Sequence, residues 1–140
     1  MSQTNVDLIA NLYAAFARGD AGAILGAMDP AIVWNEAENF AYADRNPYTS
    51  PAAVGQGVFL RVAQWENFQA KPVELLDAGG TVVALGRYTG TYKATGRKMD
   101  AQFVHVFRLR EGKIVAFQQY VDTLQASRVM GSDARAAAEG

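Results

Sequence analysis

The sequence predicts an α+β fold: a curled antiparallel sheet, cone-shaped in outline, packed on N-terminal helices. Three observations carry that prediction. Residues Thr81 to Asp122 read as three consecutive strands joined by short glycine-containing turns, the pattern of hairpin connections. A strand from Met99 to Arg110 spans roughly 40 Å at ~3.3 Å per residue, about twice the usual length, so such a ribbon twists and curls. The first half of the chain carries apolar residues at three-and-four spacing, which supplies helices to fill the concave side.

The bulk numbers bound the function. A chain of 140 residues is long enough for one domain with a respectable core, here expected over 1–130, with 131–140 as a frayed tail. Lys plus Arg is 13 and Asp plus Glu is 14, so no net field recruits nucleic acid or an anionic membrane surface. Cysteine is absent and histidine occurs once, which removes disulfides and thiolate catalysis and disfavours a transition-metal site. No apolar run approaches ~18 residues, and the opening Met-Ser-Gln-Thr-Asn lacks a signal-peptide pattern; the expectation is a cytoplasmic protein without membrane association. Gly79-Gly80 and Thr95-Gly96 read as turns with no phosphate-loop pattern around them, and no cofactor is expected.

In chain order, Thr4 with Asp7 reads as an N-cap, followed by Val6, Ile9, Tyr13, Phe16 and Ala17 on one helical stripe. Gly19 stops that helix and Asp20 caps a short second one over Ala21 to Met28. Ala31 to Glu36 alternates like a strand, with Ile32, Trp34 and Glu36 on one face. Ala37 to Thr49 is a loop whose Phe40, Tyr42 and Tyr48 read either as a flap over an apolar space or as plain anchors. Ser50-Pro51 starts a third helix to about Gln64. Phe68 to Leu76 reads as an edge strand because of Pro72, and Asp77 to Gly80 as a turn into the central stretch. A final helix is expected over Leu124 to Met130, capped by Asp122 or Thr123.

That order of elements, together with YAAFARGD at 13–20, the strand ending Val33-Trp34-Asn35-Glu36 and the hairpin FVHVFRLREGKIVAFQQYVD, resembles the SnoaL-like, ketosteroid-isomerase-related branch of the nuclear transport factor 2-like (cystatin-like) superfamily. The resemblance covers roughly residues 5 to 128. It implies the cone-shaped fold, a homodimer through the outer sheet face, and a family whose members include isomerases, polyketide cyclases, epoxide hydrolases, dehydratases and silent binders. It places Glu36 at the position of the ketosteroid isomerase general base and His105 at that of its oxyanion donor, two roles that need side chains tuned to opposite protonation states. The oxyanion tyrosine of the first helix falls on Leu12, beside Tyr13. The catalytic triad of limonene epoxide hydrolase falls on Tyr88, Gly86 and Gln119, none of which can perform it.

Strand parity gives independent support. With His105 inward, Phe103, Phe107 and Leu109 point inward too, and Gln102, Val104, Val106 and Arg108 outward. On the last strand Phe117, Gln119 and Val121 are the inward set and Gln118, Tyr120 and Asp122 the outward one. Candidate catalytic residues are therefore Glu36 and His105; candidate ligand-lining residues are Tyr13, Phe16, Trp34, Tyr88, Phe103, Phe117 and Gln119. A carboxylate beside an indole in an apolar pocket has its pKa raised, as a base or acid working near neutrality requires, whereas the same residue at a strand end reads as half-solvated. A lone histidine on an apolar strand reads equally as a satisfied core residue. Three functions fit: an isomerase- or cyclase-type enzyme moving a proton on a small apolar or cyclic carbonyl compound, a carrier or sensor using the same pocket, or a protein-interaction module.

Overall fold

The computed structural model describes residues 2–131, so the tail expected over 131–140 lies, apart from Gly131, outside the described residues. Helix α1 (Ser2–Ala17) is already under way at Thr4, which is therefore not its cap. Ser, Gln, Thr and Asn differ by only tenths of a kcal/mol in helix propensity, and no Gly or Pro stops the turn from forming earlier. Its inner side carries Ile9, Leu12 and Tyr13, all buried. Gly19 reverses the chain at φ +74°. Asp20 then caps α2 (Ala21–Gly26) by accepting a hydrogen bond from the Ala23 amide at 3.0 Å.

Helix α2 ends two residues short of Met28, because Met28 opens strand β1 (Met28–Asn35) and pairs with Ile114. Pro30 is tolerated there: β1 is an edge strand, and its register slips between Met28 and Val33. The remaining strands are β2 (Trp65–Asp77), β3 (Thr81–Tyr92), β4 (Lys98–Arg110) and β5 (Lys113–Val121), in the spatial order β1-β5-β4-β3-β2. Four are antiparallel, as the hairpins require, but β1 joins β5 in parallel, so the sheet is mixed. Pro72 does lie on an edge strand.

Curl comes from identifiable devices. Register shifts interrupt β2–β3 at Glu66/Gln69 and Pro72/Glu74, and β4–β5 at Arg108/Leu109. The last of these lets both Ile114 and Phe117 face inward. Gly86 pairs with Phe103, and a Cβ there would stand 2.4 Å from both the Phe103 ring and the Lys71 carbonyl oxygen. Its hydrogen gives the bent sheet room to close over that ring.

The third helical segment changes winding as it crosses the concave face. Ser50 caps α3 (Pro51–Val54) through its hydroxyl, 3.1 Å from the Ala53 amide; a π turn (Gly55–Phe59) and a 3-10 turn (Leu60–Gln64) follow. The expected uniform helix is therefore irregular: Gly55 and Gly57 are weak helix formers, and Tyr48 packs directly on Gly57, where a Cβ would be 2.2 Å from the ring. Helix α4 (Thr123–Met130) is capped by Asp122, 3.0 Å from the Gln125 amide, and closed by Gly131 at φ +80°. Ile9, Ile32, Val54, Val82, Phe107 and Ile114 are almost wholly buried between helices and sheet. No helix among the described residues is long and apolar enough to cross a membrane.

Candidate active site

Between the helices and the concave sheet face lies a cavity of about 80 Å3. Every candidate site residue borders it except Phe103. That ring packs behind the wall, with centroids 4.0 Å from His105 and 4.4 Å from Tyr88.

Glu36 follows β1, and its backbone is held from the side. Its amide donates to Asn46 Oδ1 at 3.0 Å and its carbonyl accepts from Asn46 Nδ2 at 2.8 Å. Two residues back, Trp34 and Tyr48 exchange two backbone hydrogen bonds of 2.9 Å. The loop of residues 37–49 is thus stapled to β1, and its Phe40 and Tyr42 enter the cavity wall as a flap would. The Glu36 side chain is 3% exposed, and its Oε2 accepts from Trp34 Nε1 at 3.0 Å. Burial in this apolar wall pushes its pKa up to about 8; the Trp34 bond and the Arg61 charge offset only part of the effect.

His105 stands opposite on β4, among Phe103, Phe107 and Phe117. Burial among these rings pushes its pKa down to about 3, so the imidazole is neutral across physiological pH. Both ring nitrogens are occupied: Nδ1 bonds the Tyr13 hydroxyl at 2.5 Å, and Nε2 bonds the Tyr88 hydroxyl. Gln119 Nε2 donates to that same Tyr88 oxygen at 2.8 Å, while Gln119 Oε1 accepts from the Ala37 amide at 3.0 Å. A continuous polar line therefore runs from the flap backbone through Gln119, Tyr88 and His105 to Tyr13. Burial raises the pKa of both tyrosines well above the ordinary value, so both remain protonated donors. No hydrogen bond joins His105 to Glu36, and burial rather than a neighbouring carboxylate dominates the histidine.

The rest of the wall is apolar. Trp34 stacks on Phe117 at 3.6 Å between centroids, and Phe16 meets Phe59 and Phe68 at 6.0 and 6.1 Å. Val58, Phe59 and Val62 of the irregular helical segment form the lid side. At its rim, Arg61 grips Asp44 with two hydrogen bonds of 2.9 and 3.0 Å and lies over the Tyr42 ring. No group of three metal-ligating side chains occurs among the described residues.

Residues 9–117 match the model of the SnoaL-like domain. The chain belongs to that family. Among solved structures, this SnoaL-like domain is similar to an NTF2-like protein from Burkholderia thailandensis, with 38% identity over 89% of this chain and 95% of that one, at a TM-score of 0.85. It also shares its fold with TerC co-crystallised with polyporic acid (22% identity; 91% and 98% covered; TM-score 0.80). An NTF2-like protein from Burkholderia xenovorans is a further neighbour (24% identity; 93% and 98% covered; TM-score 0.81). A search of curated proteins found no match.

Sequence reasoning missed several residues of this SnoaL-like site. Leu12, Ile24, Val58, Phe59, Val62 and Phe68 all line the cavity. Aromatic residues in a polar loop were the visible signal for Phe40 and Tyr42. Nothing in the sequence marks Asn46 as the clamp on Glu36.

Proposed function

We propose that the cavity is the site of a cofactor-independent proton-transfer enzyme, of isomerase or cyclase type, acting on a small apolar carbonyl compound. The carrying observation is a buried carboxyl, Glu36, whose pKa is raised by burial, in the wall of an apolar cavity that also holds protonated tyrosines. With its pKa raised toward neutrality, the carboxyl serves in turn as base and as acid near neutral pH. The ionised carboxylate takes a proton from the carbon beside the carbonyl. The C–H bonding pair becomes a C=C bond, the C=O π pair moves onto oxygen, and a phenol hydroxyl hydrogen-bonds the resulting oxyanion. The oxyanion then re-forms the carbonyl as the same carboxyl, now protonated, returns its proton to carbon: to the original carbon in exchange, or to the far end of an adjacent C=C bond in isomerisation, which leaves the double bond conjugated with the carbonyl. His105 acts in this scheme as the holder of two tyrosines; both its nitrogens are engaged, so it does not meet the oxyanion itself.

A cavity of about 80 Å3 restricts the ligand to a few heavy atoms unless the Val58–Val62 side moves. The nearly wholly apolar wall also supports a carrier that holds a ligand without converting it. Exchange of α-hydrogens of small cyclic ketones in D2O, followed by NMR, separates the two. Acceleration by the wild type and its loss in Glu36→Gln support the enzyme; saturable binding with no acceleration supports the carrier.

The outer sheet face supports the homodimer. Leu76, Val83, Val106, Leu85, Val104 and Tyr120 lie in adjoining rows there, with Tyr120 55% exposed. A cytoplasmic location completes the proposal, in keeping with the cysteine-free composition.

A further inference from the structure

Hydrogen-bond direction along the polar line can be worked out from one end. The Ala37 amide is a backbone N–H and only donates, so the Gln119 atom facing it is the oxygen, and the NH2 faces Tyr88. The Tyr88 oxygen thus accepts from Gln119. Its own proton has one acceptor among its described neighbours, the bare Nε2 of His105. A neutral imidazole carries one N–H, which then sits on Nδ1 and donates to the Tyr13 oxygen at 2.5 Å. Counting protons along the line leaves one phenol proton unspent, and it belongs to Tyr13. The opposite polarity strands the unspent proton on Tyr88, whose oxygen already has two partners. Both phenols border the cavity, and Tyr13 is the one with a single hydrogen-bond partner among the described residues.

We propose that Gln119, oriented by the Ala37 amide, is a positioning residue that sets the tautomer of His105 and thereby turns the Tyr13 hydroxyl proton into the cavity. The consequence is specificity. The ligand atom meeting Tyr13 is a hydrogen-bond acceptor, a carbonyl or enolate oxygen, because the Tyr13 oxygen already accepts from the imidazole and offers a donor. This deepens the proton-transfer reading and rests on it for the identity of the ligand. The polarity itself belongs to the ligand-free protein, and Ala37 ties it to the flap.

The test is 15N NMR of the His105 side chain without ligand, which keeps it separate from any failure of catalysis. The wild type is expected to show a single tautomer protonated at Nδ1. Protonation at Nε2, or an equal mixture, overturns the proposal. Gln119→Glu is then titrated from mildly acidic to alkaline pH. A neutral carboxyl at this position replaces the amide, donating to Tyr88 and accepting from Ala37, so the Nδ1–H tautomer persists. An ionised carboxylate has no proton to give and accepts from Tyr88, so the proton moves to Nε2. Glu36 from β1 is the other carboxyl at the cavity, and Tyr13 from α1 and Tyr88 from β3 are the phenols facing the imidazole. The series is therefore repeated with Glu36→Gln to assign the transition. An Nδ1–H tautomer that persists after the introduced carboxyl has ionised contradicts the proposal. Gln119→Met removes the donor without adding a charge; a mixture of tautomers is expected, and an unchanged pure Nδ1–H state refutes the role of Gln119.

Discussion

Replacing Glu36 by Gln should make the protein more stable than wild type at neutral and alkaline pH, by an amount that grows with pH. In the folded state the carboxyl holds its proton up to about 8, whereas an exposed glutamate releases it at 4.5. Between those values the unfolded chain binds fewer protons than the folded one, so the wild type loses stability as pH rises. The contribution is fully present below 4.5 and gone above about 8. At ~1.36 kcal/mol per pH unit the whole span is worth about 5 kcal/mol. Gln keeps a carbonyl oxygen for Trp34 Nε1 and removes the titration. His105 adds the opposite slope at lower pH, since its folded pKa of about 3 lies below its ordinary 6.5 and stability is lost as pH falls through that range. Only the difference between the two proteins therefore isolates Glu36. The assay is urea denaturation of both across a pH series. A stability difference that stays flat from 4.5 to 8 would refute the reasoning, because it would mean that the folded carboxyl ionises like an exposed one.

Three further outcomes follow from particular contacts. Gly86→Ala should lower stability by about 1–3 kcal/mol in thermal denaturation, since the new Cβ lands 2.4 Å from the Phe103 ring and a backbone oxygen. Asn46→Ala removes both side-chain bonds on the Glu36 backbone; a loss of about 1–3 kcal/mol is expected, with faster hydrogen exchange at the Glu36 amide and unchanged protection at His105. The His105 ring signals should show no titration between about pH 5 and 8.

The sequence made strand identity and facing legible and left the connections between side chains hidden. The three strands Thr81–Tyr92, Lys98–Arg110 and Lys113–Val121 fall inside the stretch Thr81 to Asp122 read as three strands, because its β-branched and aromatic content is broken by glycine turns. Ile32, Trp34 and Glu36 were placed on one face by alternation alone, and all three are buried. Parity likewise put His105, Phe117 and Gln119 inside. It could not say that the two imidazole nitrogens meet Tyr13 and Tyr88, because that depends on how α1 lies across β3 and β4. The parallel β1–β5 pair joins residues about 80 positions apart and leaves no local pattern. The change from α to π to 3-10 winding between Pro51 and Gln64 accompanies the close packing of Tyr48 on Gly57, a contact that only the folded chain creates.

The most direct measurement on the central claim is the 13C titration of the Glu36 carboxyl carbon in the ligand-free protein. An inflection near 8 is expected, with the signal identified by its absence in Glu36→Gln. An inflection near the ordinary 4.5 would contradict the claim: Glu36 would then be a solvated carboxylate, and the cavity would hold no proton to transfer.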